Sequence, residues 1–262
     1  MIEYNTIIVD KKDFIATITL NRPENFNTFS TEMATELDFS ICQLDDDTEV
    51  RVVIIQAKGK NFCTGIEVSE FFGKSQTEYR AWVDLMGRIS HRIADMRKPV
   101  IASARGFAVA NGAGIIAASD LAVISESTQI ATNAINVGLF CMGPAVPLSR
   151  SIGRKRALEM LLTGDMIDAE TALSWGIVNR VVLDDQLEKT TIELAKKLAQ
   201  KSPLALQMGK QAFYGMSDME YKKALAYSNE MFTRLCDSED ASEGVSAFLE
   251  KRTPEWKEKQ AC

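Results

Sequence analysis

Three apolar, β-branched runs, "VVIIQA", "PVIASA" and "DLAVIS", are separated by stretches patterned for helices, and this alternation limits the fold more than any other feature of the chain. Strands that are apolar along nearly their whole length are buried on both faces. Parallel neighbours of that kind need crossover connections, usually helical, so the alternation implies an α/β layer structure. "VRVVIIQAKG" ends at Gly59, and "TEYRAWVDLMGRISHRIADM" follows as an amphipathic helix closed by Pro99. "PVIASARG", a short helix near "NGAGIIAAS" and the strand "DLAVIS" continue the pattern. Ahead of them, "TIIVDKKDFIATITL" reads as a hairpin turning at residues 10–13, and "STEMATELDFSICQLDDD" as a helix capped by Ser30 or Thr31. From Asp184 onward the patterning is helical throughout. The expected organisation is an α/β core over residues 1–190 and a helical C-terminal subdomain over residues 191–262, with no fixed-period repeat between them.

The 262 residues are near the upper end of what a single hydrophobic core supports. A formal charge of −6 gives no bulk attraction to nucleic acid or to an anionic membrane, so neither is expected as a partner. No apolar run approaches the roughly 20 residues of a membrane helix. Cys42, Cys63, Cys141, Cys236 and Cys262 are an odd number at wide spacings with no CxxC, which argues against a disulfide framework and a zinc site. No metal is expected. The opening "MIEYNTIIVDKKDF" has no charged stretch followed by an apolar core, and the expected location is the cytoplasm.

Two glycine-containing loops each follow an expected strand and precede a helix: "KGKNFCTGIEVSEF" (residues 58–71) and "GFAVANGAGIIAASD" (residues 106–120). Glycine admits close approach of backbone to a ligand, and a helix N-terminus presents unpaired N–H groups. Two such loops can aim amide donors at one developing negative charge, as an oxyanion hole does. Spacing alone leaves open a purely structural use in tight turns and close packing. "ANGAG" is neither a Walker A loop nor a GxGxxG dinucleotide fingerprint.

"LNRPENFNTFS", "KNFCTGIEVSEF", "KPVIASARGFAVANGAGIIAASDLAVIS", "ATNAINVGLF" and "RALEMLLTGDMIDAETALSWGIVNRVV" occur in an order that strongly resembles the crotonase family, the enoyl-CoA hydratase and isomerase superfamily. The resemblance covers essentially the whole chain, down to "EGVSAFLEKRTPEW". It implies a crotonase-like ββα spiral with a helical C-terminal subdomain, assembled as a homotrimer or homohexamer. It also implies an acyl-CoA thioester whose carbonyl is held by two backbone amides, with coenzyme A entering as part of the substrate and no separate cofactor. The two donors map onto Ile66 and Asn111. The CoA path maps onto Arg22, Asn25, Phe26 and Asn27 of one segment and onto Thr64, Ile66, Glu67, Val68 and Ser69 of another, largely through backbone atoms.

The same mapping places the two glutamates of a hydratase at Gly114 and Ala134. Neither residue moves a proton, and general acid/base catalysis contributes roughly 10² to 10⁴-fold per group. A standard two-glutamate hydratase mechanism is therefore not expected. Glu67 and Glu70 are weighed as replacements, the latter at the start of the next helix, against surface or helix-dipole roles. Asp120 more simply fixes the turn into the following strand. His91 reads as a partly buried structural histidine, Cys63 and Cys141 lack a histidine partner, and Thr132, Asn133 and Asn136 are able to orient a water without acting as a base. On "SPLALQMGKQAFYGM", Phe213 is assigned to the core and Lys210 is left open as a candidate charge partner for CoA phosphates. The expected activity is lyase, isomerase or hydrolase chemistry on an acyl-CoA with atypical acid/base groups. The alternative is a non-catalytic acyl-CoA-binding paralogue or structural subunit.

Overall fold

The structure, a computed structural model, describes residues 4–256. β1 (Ile7–Lys12) and β2 (Ile15–Leu20) form the expected hairpin, turning on Asp13 and Phe14 at φ 54 and 63°. The turn is later and tighter than the polar run suggested. α1 (Thr31–Asp46) starts at Ser30, whose hydroxyl accepts the Met33 N–H. β3 (Val52–Ala57) joins β2 in parallel, and α2 (Gln76–Asp95) begins with a capping box of Ser75 and Glu78.

β4 (Val100–Ala104), β5 (Phe107–Val109) and α3 (Asn111–Ala118) follow, then β6 (Leu121–Ser125), β7 (Gln129–Ala131) and α4 (Met142–Thr163), which is broken at Gly153. β8 (Ile167–Asp168), α5 (Ala169–Trp175) and β9 (Arg180–Val182) complete the core. The large sheet has the order β1-β2-β3-β4-β6-β9, parallel from β2 onward, and a small sheet has the order β5-β7-β8. Cys63 bridges Ala108 in parallel and so extends the small sheet by one residue pair. Each turn of the chain thus places one strand in the large sheet, one short segment at the small sheet and then a helix: β3, Cys63 and α2; β4, β5 and α3; β6, β7 and α4. This is the expected ββα spiral.

The strands buried on both faces explain the continuous apolar runs. Val53, Ile55, Val100 and Ala102 face the main core with Phe29, Leu37, Ile93 and Ile116. Ile54, Ile101 and Val123 face the other way, onto Leu187, Leu194 and Ala195. Three of those partners belong to α6 (Leu187–Ala199), so the expected division at residue 190 falls inside a helix that covers the sheet. The remaining helices are α7 (Pro203–Met216), α8 (Tyr221–Cys236) and α9 (Glu239–Glu250). Residues 257–262 of the assigned subdomain, Cys262 among them, lie outside the described residues.

α7 reverses the expected packing. Its buried residues are Pro203, Gln207 and Lys210, and Phe213 is 62% exposed rather than in the core. The reversal has a local cause: the Lys210 ammonium donates to the Ile93 and Lys98 carbonyls at 2.8 and 2.9 Å and to Asp120 Oδ2 at 2.7 Å. Meeting those acceptors fixes the rotation of the helix and turns Phe213 outward.

Candidate active site

The spiral brings corresponding points of its turns together. The Val109 N–H donates to the Cys63 carbonyl at 2.8 Å, and the Ala110 N–H donates to the Ala131 carbonyl at 2.9 Å. The segments leaving Cys63, β5 and β7 therefore emerge side by side, carrying Ile66, Asn111 and Ala134. Carboxyl ends of adjacent parallel strands are where ligands bind in open α/β sheets.

Close approach is built into the glycines here. Gly65 has φ 99°, and a Cβ on it would lie 3.3 Å from the Ala110 Cβ. A Cβ on Gly112 would come 2.3 Å from the Cys63 carbonyl oxygen, which no side chain tolerates. The amides of Gly65 and Gly112 donate toward the Cys63 sulfur between them, and complete burial pushes that thiol up to about 12. Cys63 is thus a buried spacer between the loops, and a protonated one, which removes it as a nucleophile.

The Ile66 and Asn111 amides differ from those of Glu67 and Val109. Neither has a protein hydrogen-bond acceptor among the described residues, whereas Glu67 N–H donates to Phe29 and Val109 N–H to Cys63. Asn111 opens α3, where the first amides are free by geometry. Ala110 before it is held at φ 49°, ψ −105°, a sparsely populated conformation for a residue with a Cβ. The Asn111 side chain is engaged separately, donating to the Met86 carbonyl at 3.3 Å.

Residues 22–27 and 64–69 form one stapled unit. Asn27 is fully buried; its Oδ1 accepts the Arg22 N–H at 2.8 Å and its Nδ2 donates to the Lys58 and Asn61 carbonyls, both at 2.9 Å. Thr64 donates to the Phe26 carbonyl at 3.3 Å. Glu67 accepts from Thr28 at 2.8 Å, Ser69 at 2.9 Å and Arg22 at 3.3 Å. The Thr28 and Ser69 hydroxyls, and then the Arg22 guanidinium, hold the Glu67 carboxyl below the usual carboxylate range. A carboxylate kept ionised by three donors is a poor proton donor, and here it joins the two segments. Arg22 is likewise engaged. Asn25, Phe26, Val68 and Ser69 are exposed at the rim.

Other residues find structural work. Glu70 sits in a short 3-10 turn (Val68–Glu70) rather than starting α2, and its Oε2 accepts the Thr31 N–H at 2.8 Å, closing the first turn of α1. Lys210 is buried in the contacts described above, so it is not a charge partner for CoA phosphates. Asp120 fixes the turn by accepting the Val100 N–H at 2.7 Å and adds a bond from Tyr214 at 3.0 Å. His91 is exposed on α2, not partly buried. Asn133 is half-buried, and Asn136 is exposed with its amide against Gly164. The Thr132 hydroxyl is buried with no hydrogen-bond partner.

The model of the family described as enoyl-CoA hydratase/isomerase matches residues 10–259. The chain belongs to that family. Among its relatives, the rat (Rattus norvegicus) enoyl-CoA hydratase domain-containing protein 3, mitochondrial, is 34% identical over 94% of this chain and 82% of its own length. A short-chain-enoyl-CoA hydratase from Clostridium acetobutylicum is 31% identical over 95% of this chain and 97% of its own. The solved enoyl-CoA hydratase of Mycobacterium smegmatis superposes with a TM-score of 0.93 at 37% identity, covering 96% of this chain and 99% of that one. The fold is thus that of the crotonase superfamily. Within this enoyl-CoA hydratase/isomerase family member, sequence reasoning missed the Arg22–Glu67 staple and the strain at Ala110.

Proposed function

We propose that the chain binds an acyl-CoA thioester and stabilises its enolate through the amides of Ile66 and Asn111, with acid/base chemistry other than the two-glutamate kind. The observation that carries this reading is that the Ile66 and Asn111 amides, at adjacent turns of the spiral, have no protein acceptor among the described residues, and the glycines beside them bring the two loops into close contact. One donor of this type is worth about 3 to 4 kcal/mol in a transition state. Residues 22–27 and 64–69 form the CoA path, with coenzyme A part of the substrate. Gly114 and Ala134 stand where a hydratase of this family holds its acids. The exposed Phe213, Tyr221, Phe232 and Phe248 of α7–α9 favour assembly as a homotrimer or homohexamer, which covers such a surface.

The test is mass spectrometry of linear, cyclic, unsaturated and malonyl-type acyl-CoA thioesters incubated with the protein in labelled water. Protein-dependent label uptake or mass change supports the enzyme. Thioesters that bind and stay unchanged favour the second reading, a non-catalytic acyl-CoA-binding subunit, for which the absence of acids at positions 114 and 134 speaks.

A further inference from the structure

One of the two positions from which the acids are missing is packed against a proline. Gly114 is buried on α3, and a Cβ placed on it would lie 3.1 Å from Pro144 Cγ, 3.4 Å from its Cβ and 3.5 Å from its Cα. That is closer than side chains normally pack, and a glutamate extends well beyond Cβ. Pro144 has little room to yield: its ring fixes φ, and it lies in the first turn of α4, which the Ala145 N–H closes onto the Cys141 carbonyl at 3.0 Å. The same turn starts at Cys141, which is 6% exposed and whose sulfur faces the Ala134 amide. The Leu139 N–H donates to the Ala134 carbonyl at 3.0 Å, folding the segment back over that residue.

Resting on the reading of Gly114 and Ala134 given above, we propose that Pro144 is a specificity-determining residue of this site: it occupies the space that an acid side chain at position 114 needs. The site is therefore not a hydratase lacking two side chains. At position 114 it is closed to one of them by Pro144, and restoring the glutamates alone does not restore hydration.

The packing half is read by a thermal double-mutant cycle on the full chain. Gly114→Ala alone lowers the melting temperature by roughly 2–10 °C, the range expected of an overpacked core in a domain of this size, and most of that loss disappears when Pro144→Ala is also present. The chemical half is read with crotonyl-CoA. The folded G114E/A134E double variant hydrates it no faster than the unsubstituted protein, and the triple variant with P144A gains about 100-fold or more, the scale of a general acid/base group. An equal Gly114→Ala loss in both backgrounds overturns the proposal and leaves the proposed function untouched. Hydration by the double variant equal to that by the triple overturns it as well. A clear coupling with folded variants that all fail to hydrate crotonyl-CoA overturns the assignment of positions 114 and 134 as acid positions, and the proposal falls with it.

Discussion

The loops around Ile66 and Asn111 and the edge where α7 meets the sheet are both rich in polar groups, yet they satisfy them in opposite ways. At the α7 edge, the Lys98 ammonium donates to the Leu44 and Asp47 carbonyls, Lys210 to Ile93, Lys98 and Asp120, and Tyr214 to Asp120. In the loops the side chains of Asn27, Glu67 and Asn111 are paired as well, but backbone amides, those of Ile66 and Asn111 among them, are left without a protein acceptor among the described residues. Buried polar groups normally find partners, so leftovers held in place by a paired surround mark a site prepared for something else. The α7 edge maintains the fold, and the loops hold a geometry.

The sharpest break of this comparison is Asp120→Ala. It leaves the Lys210 ammonium buried beside two carbonyls without its counter-charge, and breaking a buried pair on one side costs about 3–5 kcal/mol. In a domain of this size that is a melting-temperature loss of roughly 6–20 °C. Acyl-CoA affinity measured by calorimetry on the folded fraction should change little. A large affinity loss in a variant that keeps its stability would erase the distinction between the two regions.

A second test of the same edge uses pH. Burial lowers the Lys98 ammonium from 10.5 to about 8. Between those values the unfolded chain binds a proton that the folded chain does not, so this residue's contribution makes stability rise with pH from about 8 to 10.5. Below pH 8 the folded state carries the full burial penalty. The rise is at most about 3 kcal/mol, and the melting temperature of the unsubstituted protein should gain on that of Lys98→Met across the window. A constant difference between the two proteins would show that Lys98 keeps its proton throughout.

How far each region was legible in the sequence follows from what creates a pattern. The long elements announce themselves by period: Met33, Leu37, Ile41 and Leu44 recur down one face of α1, and "VVIIQA" is apolar throughout because β3 is buried on both faces. β5, β7 and β8 are two or three residues long and have no period to read, although they bring the loops together. The two glycine loops were legible through motif resemblance, since glycine is required wherever backbones meet as closely as Gly112 and Cys63 do. Long-range pairs leave no such mark. Nothing in "SPLALQMGKQAF" signals that Lys210 faces Asp120 from 90 residues away and turns the apolar stripe outward. Arg22 and Glu67 are hidden in the same way, 45 residues apart.

Within the loops, Glu67→Ala should have a smaller effect on stability and a larger one on binding. Removing a partly buried carboxylate that joins two loops costs about 1–2 kcal/mol, a melting-temperature loss of a few degrees. Acyl-CoA affinity should fall several-fold, because residues 22–27 are no longer tied to residues 64–69. Glu67→Gln keeps the acceptor for Thr28 and should recover much of the affinity. If Glu67→Gln instead abolished turnover while affinity stayed intact, the carboxylate would be a catalytic group and the staple a by-product.

The smallest change expected in stability is at Ala110, where two opposing terms nearly cancel. The backbone at φ 49°, ψ −105° stores strain of about 1–3 kcal/mol in a residue with a Cβ, and Ala110→Gly releases it. The same substitution frees the unfolded chain and costs about 0.5–1 kcal/mol. The melting temperature should therefore hold or rise by a few degrees, in contrast to every other substitution in the loops. The Asn111 amide is aimed by the peptide that Ala110 constrains, so a glycine there lets it wander, and turnover of any accepted thioester should fall while KM moves less. Stability gained with activity lost is the signature of strain held for a geometry. A melting temperature that drops by more than a few degrees would mean that the conformation at Ala110 is comfortable and that something else orients the donor.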